Sequence, residues 1–345
     1  MKELNKKEML IYLASYFLNF PLKPPDFINF GLTHRCNLRC NICETWEENP
    51  NVKEELTLNE LKNVIKEIGD WDKKINISFA GGEPLIRKDD LVECIRYAKS
   101  LGLTTHLTTN GTLINKKVAE ELVDCGLDYL QISLDSLNRN INDYIRDKGA
   151  YEKAMKATKI ILKILKKKRN NLKFSFTTVI TDKNLDDILR IYWFVKKNGM
   201  HEVSYNPFNI DTSYFKNKSY ENPFWVSEKN LNKLKRICKK LIKLKNKGGK
   251  IGTPSIFLEL IPKYFKEKEK FRDGFCMAGY AYMYIKPNGD VDVCGKGPSL
   301  NVRKYSIKKI WYSLAFFKTR LLIRKCKRPC LMLCFPRIRI RDLIG

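Results

Sequence analysis

Three cysteines fall in one short run, Cys36-Asn-Leu-Arg-Cys40-Asn-Ile-Cys43, and five more, Cys276, Cys294, Cys326, Cys330 and Cys334, crowd the end of the chain. Thiolates are metal ligands, and three on one loop can converge on a single centre. Structural zinc takes four ligands, usually as paired C-x2-C knuckles, and the nearby His34 is separated from Cys36 by one residue only. A 4Fe–4S cluster that only carries electrons is also held by four cysteines. Held by three, it keeps one iron open to a substrate or cofactor, so the missing fourth ligand is a chemical clue.

The later cysteines begin as C-x12-G-x4-C, from Cys276 through Gly289 to Cys294. Between them, Tyr284-Ile-Lys-Pro-Asn-Gly-Asp-Val291 has turn residues flanked by β-formers, the pattern of a β-hairpin that brings Cys276 and Cys294 together. These five thiols suffice for one more cluster, with Cys276, Cys294, Cys330 and Cys334 the preferred ligands and Cys326 the alternate. Structural zinc is the competing occupant. Cys94, Cys125 and Cys238 stand alone on helical faces and read as small core hydrophobes.

The elements that must position these thiols alternate. Strands are predicted at Ile28–Thr33, Ile75–Ala80, Thr104–Thr109, Tyr129–Leu134, Phe174–Ile180 and Glu202–Tyr205. Helices are predicted between them: one opened by the Thr57/Glu60 capping box, then Asp89–Leu101, Lys116–Cys125, Tyr151–Lys168 and Asn184–Lys197. Six β–α repeats predict an α/β fold with a parallel sheet, while periodicity leaves its closure open. Beyond Phe208 come a polar-aromatic stretch at Asn209–Asn222, a basic amphipathic helix at Leu231–Lys250 and a helix at Ile307–Lys325.

The C-x3-C-x2-C run after the first strand resembles the radical S-adenosylmethionine superfamily. Further motifs recur in its order: Gly81-Gly82-Glu83-Pro84 after the second strand, Thr109-Asn110-Gly111 at the end of the third and Ser133-Leu134-Asp135 at the end of the fourth. The resemblance covers about Phe27 to Phe208. It implies a partial (β/α)6 TIM-like barrel, a 4Fe–4S cluster on Cys36, Cys40 and Cys43, and S-adenosylmethionine on the open iron. A 5′-deoxyadenosyl radical would then abstract hydrogen from a substrate. Gly81 and Gly82 would let the backbone approach that cofactor. Glu83 would meet its amino group, and Ser133, Asp135 and Asn184 its ribose. Ile42 stands where most members carry an aromatic residue and would contact adenine. Taken without the cysteines, Gly81-Gly82 and Asn110-Gly111 are turns, and Asp135-Ser136 is a helix cap.

The C-terminal cysteines resemble the auxiliary-cluster modules called SPASM and twitch, although the closing C-x3-C-x3-C departs from the longer SPASM pattern. One auxiliary 4Fe–4S cluster in a shortened α+β module is expected. The expected organisation is 1–25 as an N-terminal helix and linker, 26–208 as the barrel, 209–275 as a connection and 276–345 as the module. An electron donor such as a ferredoxin or flavodoxin is implied. No cobalamin-binding module is visible.

Composition bounds the partners. The chain has 345 residues, 43% hydrophobic, with 65 Lys plus Arg against 38 Asp plus Glu, a net charge of +27. Disorder is excluded, and no apolar run reaches the roughly 18 residues of a membrane span. The charge suits an acidic substrate, or it reflects a lysine-rich proteome. The apolar segment Met9–Phe20 lacks a cleavage site, so a reducing cytoplasm is expected rather than export. That segment could touch a membrane surface, with packing against the barrel the preferred reading. Nucleic acid is not expected. The alternative from another class is a basic zinc or iron–sulfur protein binding RNA or a membrane surface, which would not bind S-adenosylmethionine.

Overall fold

The computed structural model describes residues 4–47, 51–168, 170–210, 219–332 and 337–339. Eleven strands and eleven α-helices alternate along these segments. Helix α1 is Lys6–Leu18. The barrel elements then follow: β1 (Phe27–Thr33), α2 (Leu58–Trp71), β2 (Asn76–Gly81), α3 (Lys88–Ser100), β3 (Thr104–Thr109), α4 (Lys116–Asp124), β4 (Tyr129–Ser133), α5 (Arg139–Ile145), α6 (Ala150–Lys167), β5 (Lys173–Ile180), α7 (Ile188–Lys197) and β6 (Val203–Pro207). After them come α8 (Glu228–Asn246), α9 (Ser255–Glu267), β7 (Phe275–Cys276), β8 (Tyr282–Ile285), β9 (Asp290–Asp292), β10 (Leu300–Asn301), α10 (Ile307–Tyr312), α11 (Leu314–Arg324) and β11 (Arg337–Ile338).

Strands β1 to β6 pair in chain order, each parallel to the next. Helical crossovers force that arrangement, because a parallel neighbour cannot be reached by a tight turn. Helix α2 shows the local logic. Thr57 and Glu60 close the expected capping box, and Leu61, Val64, Ile65 and Ile68 are buried on one face. Burying each such side chain contributes about 1.5–3 kcal/mol.

The sheet does not stop at β6 and β1. Its order is β10-β9-β8-β1-β2-β3-β4-β5-β6, with β8 parallel to β1 and antiparallel to β9. The hairpin read from Pro287-Asn288-Gly289 is present, with Gly289 at φ 86° making the turn. The sheet therefore runs from the barrel into the C-terminal region without a break. Arg303 reinforces this join: it pairs with Glu60 of the α2 capping box and donates to the carbonyls of Glu54 and Asn288.

Along β2, β3 and β4 one face is buried against helices and the other is half-buried, while β1, β5 and β6 are more fully buried. Asn29, Ser78, His106, Gln131, Ser133 and Thr177 line the half-buried inner face. The interior is thus polar, the pattern of a ligand space rather than of a filled core. Helix α1 packs Tyr12 and Leu13 on Met277, Tyr280 and Ala281, and its Tyr12 hydroxyl donates to Asp26, just before β1. Much of the expected loop 209–222 lies outside the described residues. The expected single helix Ile307–Lys325 is two, because Ser313 turns extended and its hydroxyl caps α11.

Candidate functional site

The cysteine run follows β1 at the C-terminal end of the barrel strands, the end where βα-loops build sites. Cys36, Cys40 and Cys43 are free and half-buried. The loop is tied down on three sides. Arg39 N–H donates to Asp147, Asn41 N–H donates to the Ile145 carbonyl, and Asn37 bonds Thr112 and Asn110 beyond β3. Glu55, itself buried, accepts from Thr33 Oγ1, Arg35 and Arg87 at the loop entrance.

The Gly-Gly-Glu-Pro segment supplies the remaining support. Gly82 N–H donates to the Thr33 carbonyl (2.7 Å) and Glu83 N–H to the Arg35 carbonyl (2.8 Å). A Cβ on Gly82 would stand 2.5 Å from the His34 carbonyl oxygen and nearer still to that of Arg35. Gly81, at φ 133°, has the same closeness to Thr33. The glycines thus let this segment lie close against the chain just before Cys36. Glu83 is fully buried. Its carboxylate accepts from Leu85 N–H, Thr109 Oγ1 and Asn110 N–H, so it joins β2 to β3. Burial pushes its carboxyl pKa up, against those three donors. Pro84 opens the short 3-10 turn that follows, where its fixed φ fits and its missing N–H costs nothing.

The expected ribose ligands divide. Ser133 sits half-exposed at the C-terminal end of β4, on the inner face. Asp135 and Asn184 are buried. Asp135 accepts from Val179 N–H and stands 2.8 Å from Arg146 Nε as an ion pair. Burial raises its carboxyl pKa, and Arg146 opposes this. Asn184 donates to the carbonyls of Asp135 and Val179 and accepts from Thr181. Both tie the ends of β4 and β5 together. Nor does Asp135-Ser136 cap the next helix, since Asn138 caps α5. Ile42 is half-buried against the main core.

The sequence reading did not single out Arg146. It is buried, and its charge lies within electrostatic range of Cys40 and Cys43. Burial pushes the Cys40 thiol up to about 12, with Arg146 opposing that rise. Bare thiolates are therefore disfavoured here, while a buried cation beside them suits an anionic thiolate–iron group. Among the described residues no set of three or more ligand side chains is already closed around an ion. The donor set nevertheless fits a cluster held by three thiolates: three free cysteines on one clamped loop, within electrostatic range of the buried Arg146–Asp135 pair.

The second cysteine region forms a cavity of about 370 Å³. Cys276, Cys294, Cys326 and Cys330 all line it; Cys334 lies outside the described residues. Cys326, the alternate ligand, thus lines the cavity beside the preferred Cys276, Cys294 and Cys330. Burial, with Cys330 and Cys326 adding, holds the Cys276 thiol at about 11, against the opposing charge of Arg337. Cys294 adopts φ 59°, a left-handed conformation that costs a non-glycine residue energy and marks a constrained site. His34, Tyr282 and Tyr284 line the same cavity, which joins it to the barrel interior. Tyr284 lies over Gly31, which leaves room for its ring, and its hydroxyl is 3.4 Å from His34 Nε2. A glycine inside β1 was the sequence signal for that contact. Arg272, Lys286, Lys296, Arg324, Arg328 and Arg337 also line the cavity, against only Asp273 and Asp292. Cys94, Cys125 and Cys238 are buried, as expected of core residues.

Residues 31–195 match the family model of the radical SAM superfamily. Among curated proteins, the chain is 27% identical over 314 residues to an AdoMet-dependent heme synthase from Methanosarcina barkeri, covering 85% of this chain and 84% of that one. It is 34% identical over 136 residues to a PqqA peptide cyclase from Bradyrhizobium diazoefficiens, 39% of this chain and 35% of the other. Among solved structures, Streptococcus suis SuiB bound to S-adenosylmethionine superposes with a TM-score of 0.67 at 19% identity, over 89% of this chain and 70% of that one, a likeness of fold.

Proposed function

This chain belongs to the radical SAM superfamily, and from that footing we propose that it is an iron–sulfur enzyme that modifies a carboxylate-bearing cofactor precursor by hydrogen abstraction. The observation that carries this reading is the cysteine loop: Cys36, Cys40 and Cys43 on a loop clamped by Gly82 and Glu83, with Arg146 beneath. When bound, a reduced 4Fe–4S cluster with S-adenosylmethionine on its open iron supplies the 5′-deoxyadenosyl radical. The chain does the positioning. Gly81 and Gly82 hold the loop, Glu83 fixes the β2 and β3 ends, and Asp135 and Asn184 fix the β4 and β5 ends. Ser133, on the inner face, offers a hydroxyl to the nucleoside, and Ile42 an apolar contact. Cys276, Cys294, Cys326 and Cys330 would hold a second cluster able to accept the electron left after hydrogen abstraction. A ferredoxin or flavodoxin would supply the first electron.

The substrate class rests on charge and likeness. Six cations line the cavity between the barrel and the C-terminal cysteines, which suits carboxylates. The relative matched over most of its length is a heme synthase. A second reading, an acidic peptide, rests on the partial match to a peptide cyclase. Anaerobic turnover with a carboxylated iron porphyrin, or with acidic peptides, distinguishes them by the mass of the product. Substrate-dependent 5′-deoxyadenosine with the porphyrin supports the first reading; a response to peptide alone supports the second. Iron analysis tests the second centre separately: about eight irons per chain is expected, and about four with zinc would remove it.

A further inference from the structure

Fourteen large apolar side chains are exposed among the described residues, and nine of them lie within 10–22 and 312–322. Phe17, Leu18 and Leu314 are 58%, 63% and 68% exposed. The two segments are neighbours. The rings of Phe20 and Tyr312 are 5.7 Å apart, Asn19 Nδ2 donates to the Phe317 carbonyl, and Arg324 sits over the Tyr16 ring. These contacts run in opposite order along the chain, so α1 and α11 lie antiparallel and share one outer face. A helix as apolar all round as α1 is normally covered on all sides. Here Tyr12 and Leu13 are covered, while Leu10, Phe17 and Leu18 face outward.

The fully exposed charged side chains on the two helices are cationic. Lys318 and Lys325 stand on the exposed side of α11 with Leu314 and Leu322, at helical spacing. Lys6 and Lys7 begin α1, and the antiparallel arrangement brings them toward the α11 end that carries Lys325. The acids of the segment are engaged: Glu8 in the α1 capping box, Asp26 by Tyr12 and Lys23. Aromatic and aliphatic residues flanked by lysines match a helix pair lying in a lipid interface. No helix among the described residues is long and apolar enough to cross a membrane, so the contact is with a surface. We propose that the α1–α11 face seats on an anionic lipid bilayer. It neighbours the cysteine-lined cavity, since Tyr16 and Arg324 belong to both.

Flotation of the full chain with vesicles of phosphatidylcholine and phosphatidylglycerol, roughly three to one, tests this against phosphatidylcholine alone. The chain is expected to float with the anionic vesicles and to be released by high salt. The double variant L18S/L314S should lose about tenfold or more in partitioning. K318E/K325E, which leaves every apolar contact in place, should weaken binding to anionic vesicles without altering the melting temperature. The proposal is overturned if the wild type stays in solution. It is also overturned if both variants float as well as the wild type, or if the wild type is a dimer that ignores vesicles and is split by L18S/L314S.

Discussion

Gly82→Ala separates the clamp role from the ligand-approach role. The added Cβ would lie 2.5 Å from the His34 carbonyl oxygen and 2.6 Å from the Arg35 carbonyl carbon, both backbone atoms that no rotamer change can move. Ordinary contact begins near 3.5 Å, so the chain entering the cysteine loop must shift by roughly 1 Å. That shift breaks or stretches Gly82 N–H to Thr33 and Glu83 N–H to Arg35. Two such bonds are worth about 1–3 kcal/mol together, and overpacking adds about 1–3. The thiols would be misplaced by more than the roughly 0.2 Å that metal–ligand distances tolerate. Gly82→Ala should therefore fold but lose most of its N-terminal iron. The assay is iron per chain, with the absorbance and low-temperature EPR spectra of anaerobically purified protein. Gly149→Ala is the control, because its Cβ would meet nothing within 4 Å and only its φ of 77° is strained. A Gly82→Ala protein with full iron and normal S-adenosylmethionine affinity would refute the clamp.

Arg146→Gln removes the buried cation beside Cys40 and leaves Asp135 unpaired. Stability should fall by about 3–5 kcal/mol in chemical denaturation, and the midpoint potential of the N-terminal cluster should become more negative; an unchanged potential would contradict the charge argument. Cys294→Ala should still form 5′-deoxyadenosine without making product, measured by mass spectrometry of both; full product formation would make the second centre dispensable. Arg303 holds the Glu60 carboxyl down to about 2, so the unfolded chain binds this proton more readily. The stabilisation is complete above the ordinary pKa of about 4.5 and is lost as pH falls from there toward about 2. Thermal unfolding of the wild type should drop across that window more steeply than that of Glu60→Gln, and parallel curves would show the pair to be idle.

Local chemistry was legible where one residue type has one job. Strand β3 occupies Thr104–Thr109, as its threonine-rich run indicates, and the Pro287-Asn288-Gly289 turn and the Thr57/Glu60 capping box are present. Elements governed by exceptions were missed. Helix α9 contains Pro262, which argues against a helix in sequence, and α5 is too short to show a period. Asn184 was placed in a helix, but its side chain binds its own loop and α7 begins at Ile188. The site divides in the same way. Spacing identified the thiols, because ligands must be particular residues. Their supports were hidden, because Gly82 meets Thr33 and Arg146 meets Asp135 and Cys40 only after strands distant in sequence are aligned.

The most direct test is chemical. Anaerobically reconstituted protein, reduced with dithionite and given S-adenosylmethionine, should release 5′-deoxyadenosine and methionine. The triple variant Cys36→Ala, Cys40→Ala, Cys43→Ala should release neither. Equal yields from the two proteins, or none from an iron-loaded wild type, would contradict the assignment of radical initiation to this loop.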